Sequence, residues 1–275
     1  MQVAEHIYKF FADYIFAKTG ITYEKKDYYR LDSRFKDLME FFELSSVDDL
    51  YDKYKTNIST DMHAVLINFS TNNETFFFRD VKPFKVLTKH ILPEIMENNK
   101  FGLINIWCCA SSTGQEPLSI CMQIKDKLGD DKLNKIMLTA TDISAEALAK
   151  AKKGVYNGLD VQRGLPITSL MSHFEQLDNE DWKANINLMS KIKYGEFNLL
   201  TDNYKSDAYH VIFCRNVLIY QTKENKEVIL RNLYKALKPG GYLLLGNGES
   251  LIGLKLDFVR HTHDGLTIYK KEEGL

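Results

Sequence analysis

Leu103-Ile104-Asn105-Ile106-Trp107-Cys108-Cys109, running into Ala110-Ser111-Ser112-Thr113-Gly114-Gln115-Glu116-Pro117, is the stretch on which the fold turns. The first seven residues form a short β-rich run closed off by small residues, the pattern of a strand. Pro117 suits the opening turn of a helix that extends to about Leu128. Strand therefore passes to helix through a loop of small residues, where backbone can approach a ligand and Gly114 can take dihedrals closed to other residues. One glycine falls short of the GxGxxG fingerprint of dinucleotide sites.

The same alternation continues outward. Lys135–Thr141 reads as a strand and Ala145–Lys153 as a helix, His210–Cys214 as a buried strand, Lys223–Leu237 as a helix and Tyr242–Gly246 as a strand. Between the last two, Leu237-Lys238-Pro239-Gly240-Gly241 reads as a helix stop and turn. Phe258–Tyr269 reads as two strands joined at Asp264-Gly265. The fold class expected is α/β: a doubly wound, mostly parallel sheet with an antiparallel end. Between Tyr156 and Asn198 the alternation lapses, and Trp182–Asn187 and Lys191–Phe197 look like short strands, so an inserted antiparallel β-subdomain is expected at about 157–197. Ahead of all this, Ile7, Phe10, Phe11, Tyr14 and Ile15, then Leu31, Phe35, Leu38 and Phe42, recur at helical spacing. The division expected is a helical domain at 1–69, a linker at 70–84 and a second domain at 85–275.

With 44% hydrophobic and 27% charged residues, the 275-residue chain can bury a substantial core. Its formal net charge of -1 gives no global attraction to nucleic acid or to an anionic membrane. Glu5, His6, Lys9 and Asp13 break up any leader-like apolar run, and no stretch approaches the roughly 18 apolar residues of a membrane span, so a cytosolic protein is expected. The four cysteines, Cys108, Cys109, Cys121 and Cys214, lack CxxC spacing and a companion histidine cluster, which argues against a metal or a disulfide framework.

Ligands of such sheets lie beyond the carboxyl ends of the strands. After the first strand, Thr113 and Glu116 can form an ordinary capping box, or Glu116 can face a ligand. After the second, Thr141-Asp142 places an acidic side chain where it can accept the hydroxyls of a ribose, or where it simply favours the dipole of the helix that follows. A pyrophosphate would be repelled by Glu116 at a helix start, whereas a cationic sulfonium nucleoside would not. The residues therefore lean toward S-adenosylmethionine over a nicotinamide cofactor.

Several blocks together resemble the chemotaxis receptor glutamate O-methyltransferases, the CheR family. They are Thr71-Asn72-Asn73-Glu74-Thr75-Phe76-Phe77-Phe78-Arg79, Ser112-Thr113-Gly114-Gln115-Glu116-Pro117, Ala140-Thr141-Asp142-Ile143-Ser144, Phe197-Asn198-Leu199-Leu200 and Ile212-Phe213-Cys214-Arg215-Asn216-Val217-Leu218-Ile219-Tyr220. The L-x-PGG run at Leu237–Gly241, ahead of an apolar strand, is similar to the class I methyltransferase fold. The resemblance implies that Asn73, Thr75, Arg79, Glu116, Asp142, Asn198, Leu199, Arg215 and Asn216 line the cofactor pocket, and that S-adenosylhomocysteine is the product. The first loop departs from the usual family pattern at Cys108-Cys109-Ala110 and at Gln115, which bears on affinity more than on activity.

The implied reaction is methyl transfer to glutamate carboxylates on the cytoplasmic domain of a bacterial chemotaxis receptor. A carboxylate is already ionised near neutral pH, so no general base is required. Arg79 can hold the substrate carboxylate, or else the cofactor's own; Tyr220 can donate to the substrate carboxylate, or else cap a strand within the core. Lys26, Arg30 and Arg34 fall four residues apart, on one helix face away from Asp27, Asp32 and Asp37, and can dock an acidic receptor or merely face solvent. The turn at Leu177–Trp182 is short and acidic, which speaks against its holding a receptor-tail peptide. A monomer without nucleic-acid binding or membrane insertion is expected. The rivals are a protein that binds the cofactor without turnover, a methyltransferase for another carboxyl or small-molecule acceptor, and a nicotinamide oxidoreductase, which the missing phosphate loop disfavours.

Overall fold

A computed structural model describes residues 3–100 and 102–272. The chain forms two compact units, one comprising Met1–Asn72 with Tyr220–Lys226 and the other Asn73–Ile219 with Glu227–Leu275.

The first unit is helical. Its helices are Glu5–Thr19, Tyr29–Phe41, Val47–Tyr54 and Thr60–Ser70. Their ends follow from local chemistry: Gly20 takes the left-handed conformation that closes the first, while Ser46 and Ser59 cap the third and fourth by accepting from the backbone N–H groups of Asp49 and Met62. Ile7, Phe11, Ile15, Leu31, Phe35, Leu38, Leu50 and Met62 form its core.

The second unit is built on strands β1 (Ile104–Cys109), β2 (Ile136–Asp142), β6 (Ile192–Glu196), β7 (Tyr209–Cys214), β8 (Leu237–Leu245), β9 (Val259–His263) and β10 (Leu266–Lys270). They form one sheet in the order β6-β2-β1-β7-β8-β10-β9. The first five are parallel, β10 pairs antiparallel with β8, and β9 pairs antiparallel with β10. β1 and β7 are buried on both faces, which explains their nearly continuous apolar sequences. Ile104, Ile106 and Cys108 join one core with Phe77, Phe84 and Phe213, whereas Trp107 and Cys109 alternate into the other with Ile212, Cys214 and Leu243. All four cysteines are buried thiols.

Three expectations are corrected. The helix stop at Leu237-Lys238-Pro239-Gly240-Gly241 is not a separate turn: the helix Lys223–Ala236 leads straight into β8, whose pairing with β7 shifts register between Tyr209 and Val211. Gly241 sits so close to the Lys238 carbonyl oxygen, 2.8 Å from where a Cβ would lie, that the irregularity demands glycine. The second correction concerns the insert. A small antiparallel sheet does form, from β3 (Val155–Tyr156), β5 (Trp182–Ala184) and β4 (Phe174–Gln176), in that order. The strand expected at Lys191–Phe197 is not part of it, because β6 pairs parallel with β2 at the edge of the large sheet. A half-buried alternation states that a strand exists and leaves its partner open. The third concerns Lys26, which lies in the 3-10 turn Lys25–Asp27 ahead of the helix Tyr29–Phe41, so it does not share a helix face with Arg30 and Arg34.

Candidate active site

Four adjacent strands, β6, β2, β1 and β7, end on the same side, and each hands a loop to one region, as expected for a doubly wound sheet. The loop after β1 is conformationally unusual. Ala110 and Ser112 have φ of 53° and 51°, and Gly114 has φ of 95°. Gly114 also has no room for a side chain, since a Cβ there would lie 3.0 Å from Ala151 Cβ and from the Tyr156 hydroxyl. The capping box does not form. Gly114 is itself the residue at the helix start, Thr113 donates to Gln115 Oε1, and the Glu116 carboxylate turns instead to Arg215.

Arg215, directly after β7, is the hub. Its side chain is 1% exposed and donates to Glu116 Oε2 at 2.5 Å, to Asp80 Oδ2 at 2.7 Å and to the Arg79 carbonyl at 2.8 Å. Burial raises the Glu116 carboxyl pKa, opposed by the guanidinium of Arg215 and, more weakly, by Arg79. Burial works to lower the Arg215 pKa, and the Glu116 and Asp80 carboxylates more than reverse it, so Arg215 stays charged.

The segment 73–81 is drawn in by these bonds. Ser112 donates to the Asn73 carbonyl at 2.7 Å, and Phe78 N–H donates to Ser119 Oγ at 2.9 Å. Phe78, Asp80 and Val81 have φ of 53°, 67° and 52°. For a β-branched valine this is a true outlier, and such strain, about 1–3 kcal/mol per residue, persists only where the surroundings over-determine it. Arg79 donates to the Glu74 carbonyl at 3.1 Å and lies over the Phe76 ring, and Thr75 is half-buried between them in sequence.

Asp142 ends β2 and is 5% exposed. Its Oδ2 accepts from Ser112 N–H at 2.8 Å and its Oδ1 from Ser144 N–H at 2.9 Å. Burial raises its pKa, against the backbone N–H bonds of Ser144, Ser112 and Ile143. Of the roughly four lone-pair sites of the carboxylate, these three bonds leave one for a hydroxyl. Beyond β6, Phe197 N–H donates to the Asp142 carbonyl, which sets Asn198 and Leu199 beside Asp142. There Asn198 Oδ1 accepts from Leu200 N–H, and the Leu199 carbonyl accepts from the Tyr204 hydroxyl. Asn216, after Arg215, has φ of 59°, and its N–H donates to Glu249 Oε2.

All nine residues implied for the cofactor therefore belong to the second unit. Tyr220 belongs to the first, where its hydroxyl accepts from Asn72 Nδ2 at 3.0 Å. Arg30 lies over the Tyr23 ring and Arg34 sits 4.0 Å from Asp37, so Asp37 shares the neighbourhood of Arg34 rather than facing away; Lys26 pairs with Glu24. Asp80 and Glu249 are additions that sequence reasoning missed. The signal for Glu249 was there: Gly246-Asn247-Gly248-Glu249 is a glycine-rich turn ending in an acid at the carboxyl end of β8.

The region suits a cationic nucleoside. Glu116 and Asp142 supply buried carboxylates, and the Ser111 hydroxyl and Arg215 Nε are buried without a protein partner among the described residues, as happens where a ligand completes the bonding. Comparison with known proteins agrees. Residues 73–264 match the family model described as CheR methyltransferase, SAM binding domain. The chain is similar to a chemotaxis protein methyltransferase of Vibrio parahaemolyticus, 36% identical over 94% of each chain. It is likewise similar to chemotaxis protein methyltransferase 1 of Vibrio cholerae, 36% identical over 94% of each chain, and of Pseudomonas aeruginosa, 35% identical over 92% of this chain and 93% of that one.

Proposed function

Because the chain belongs to the CheR methyltransferase family and is an S-adenosylmethionine-dependent enzyme, we propose that its methyl acceptors are glutamate side chains on the cytoplasmic domain of a bacterial chemotaxis receptor. The products on this reading are glutamate methyl esters and S-adenosylhomocysteine, and the enzyme works as a monomer in the cytoplasm. No helix among the described residues is long and apolar enough to cross a membrane.

The observation that carries the reading is the distribution of charge at the strand ends. Three carboxylates, Asp80, Glu116 and Asp142, stand against the one buried guanidinium of Arg215, a surplus of negative charge that favours a cation, while Arg79 brings a positive fork to a half-buried position near Glu116. When bound, S-adenosylmethionine supplies a methyl carbon activated by its sulfonium. Asp142 serves the ribose and Glu116 the cationic end, with Asn73, Thr75, Asn198, Leu199, Arg215 and Asn216 completing the pocket. Arg79 holds a carboxylate bidentately, and Tyr220 donates a hydrogen bond to the acceptor without adding charge. No residue has to remove a proton, because the acceptor is already ionised. The chain's task is to position and desolvate two reactants of opposite charge, whose union neutralises both. Arg30 and Arg34 give the helical unit a basic face for an acidic receptor bundle.

The test is incubation with labelled S-adenosylmethionine and receptor cytoplasmic domains, followed by mild base. Glutamate esters release the label as methanol. Label that survives base means methylation on nitrogen and overturns the reading.

A further inference from the structure

We propose that Glu249 is a positioning residue of the methyl-transfer site, whose carboxylate fixes the turn at residues 216–219 and so holds Asn216 in the cofactor pocket. Five backbone N–H groups converge on it. Oε2 accepts from Asn216 and Gly246, both at 2.8 Å, and Oε1 from Val217, Leu218 and Ile219 at 3.0, 2.7 and 3.3 Å. Consecutive N–H groups of a tight turn make an anion-binding concavity, and here the anion is the chain's own. A carboxylate has about four lone-pair sites, so Glu249 is fully occupied and touches no reactant itself.

The geometry ties two strand ends together. Cys214 and Leu245 are register partners, so the residues that follow, Arg215-Asn216 and Gly246, leave β7 and β8 side by side. At Gly246 a Cβ would lie 2.8 Å from Asn216 Nδ2 and 2.9 Å from both Asn216 N and Glu249 Oε2, leaving no room for any side chain. Asn216 meanwhile holds φ of 59°, a conformation its neighbours must enforce. Without the carboxylate, four successive N–H groups of the turn lose their common acceptor. Arg215, bonded to Glu116 and Asp80, immediately precedes this turn in the chain.

The proposal rests on the reading that Asn216 contacts the cofactor, and the experiment separates the two. In the full chain, Glu249→Gln keeps size but turns an amide NH2 toward backbone donors, whereas Glu249→Asp keeps the charge. Calorimetry with S-adenosylhomocysteine, thermal unfolding and amide hydrogen exchange are measured on both and on Asn216→Ala. Expected for Glu249→Gln are binding weaker by about tenfold, a KM for S-adenosylmethionine raised by a similar factor with a smaller change in kcat, and faster exchange at 216–219. Glu249→Asp is expected to recover part of each, and decides the matter should the glutamine variant not fold. Wild-type affinity in a folded Glu249→Gln protein, or lost affinity with unchanged exchange at 216–219, overturns the proposal. If Asn216→Ala weakens binding while Glu249→Gln does not, Glu249 alone is excluded; if Asn216→Ala binds like wild type, the cofactor role of Asn216 fails and the proposal with it.

Discussion

Arg215 and Glu116 lie 99 positions apart in the chain and meet at 2.5 Å, with side-chain exposures of 1% and 12%. Their contact joins the end of β7 to the helix that follows β1, and through Asp80 and the Arg79 carbonyl it also anchors the segment 73–81.

A buried pair of this kind is costly to break from one side. Arg215→Met removes the guanidinium that the Glu116 and Asp80 carboxylates share, and is expected to destabilise the fold by about 3–5 kcal/mol in denaturant titration. Glu116→Gln leaves Arg215 its Asp80 partner, so it costs about 1–3 kcal/mol while weakening S-adenosylhomocysteine binding in calorimetry. Equal stability losses from the two variants would show that Asp80 contributes nothing.

Asp142→Asn tests the acidic residue at the end of β2. An asparagine can accept from only one of the two flanking backbone N–H groups, those of Ser112 and Ser144, and presents an NH2 to the other. Cofactor affinity is expected to fall by about tenfold or more, and KM for S-adenosylmethionine to rise with it. Unchanged calorimetric binding would take Asp142 out of the pocket.

His210 makes the fold acid-sensitive. Its Nδ1 accepts from Asn105 N–H at 3.0 Å, and burial together with Lys238 lowers its pKa to about 4. The neutral ring is favoured in the folded state. Its stabilising contribution is therefore complete above the unfolded pKa of about 6.5 and is lost as pH falls toward 4. Because the ring is only half-buried, about 1–2 kcal/mol is expected over that window. Urea midpoints measured from pH 7 to 4 should decline less steeply in His210→Asn, whose Oδ1 can take the Asn105 bond without titrating.

Tyr220→Phe removes the hydroxyl that accepts from Asn72. A role on the acceptor carboxylate predicts a kcat lower by about tenfold or more with cofactor affinity unchanged. Full turnover would leave Tyr220 a packing residue.

Charge reversal at Arg30 and Arg34 probes the helical unit. Methylation of receptor domains should weaken, more so at low salt where surface charges act farther, with S-adenosylhomocysteine binding untouched. Lys26→Glu, outside the helix and paired with Glu24, should have the smaller effect.

Much of this was written in the chain. The change from a period near 3.6 to short β-rich runs marks helices and strands locally, because burial of one face or both imposes it on each element separately. The loop of small residues between Cys109 and Pro117 and the acid at Asp142 likewise declare themselves, since backbone approach and a strand-end carboxylate are properties of a few adjacent residues. Tertiary structure alone decided which strands are neighbours: Ile192–Glu196 alternates like a strand of the insert, yet pairs with β2. It alone decided the choice for Glu116 between its own helix start and Arg215, since both are within the reach of one side chain. And it brought Asp80 to Arg215 and Glu249 to the turn after β7, because a charge finds its counterpart by proximity in space, of which linear order carries no record.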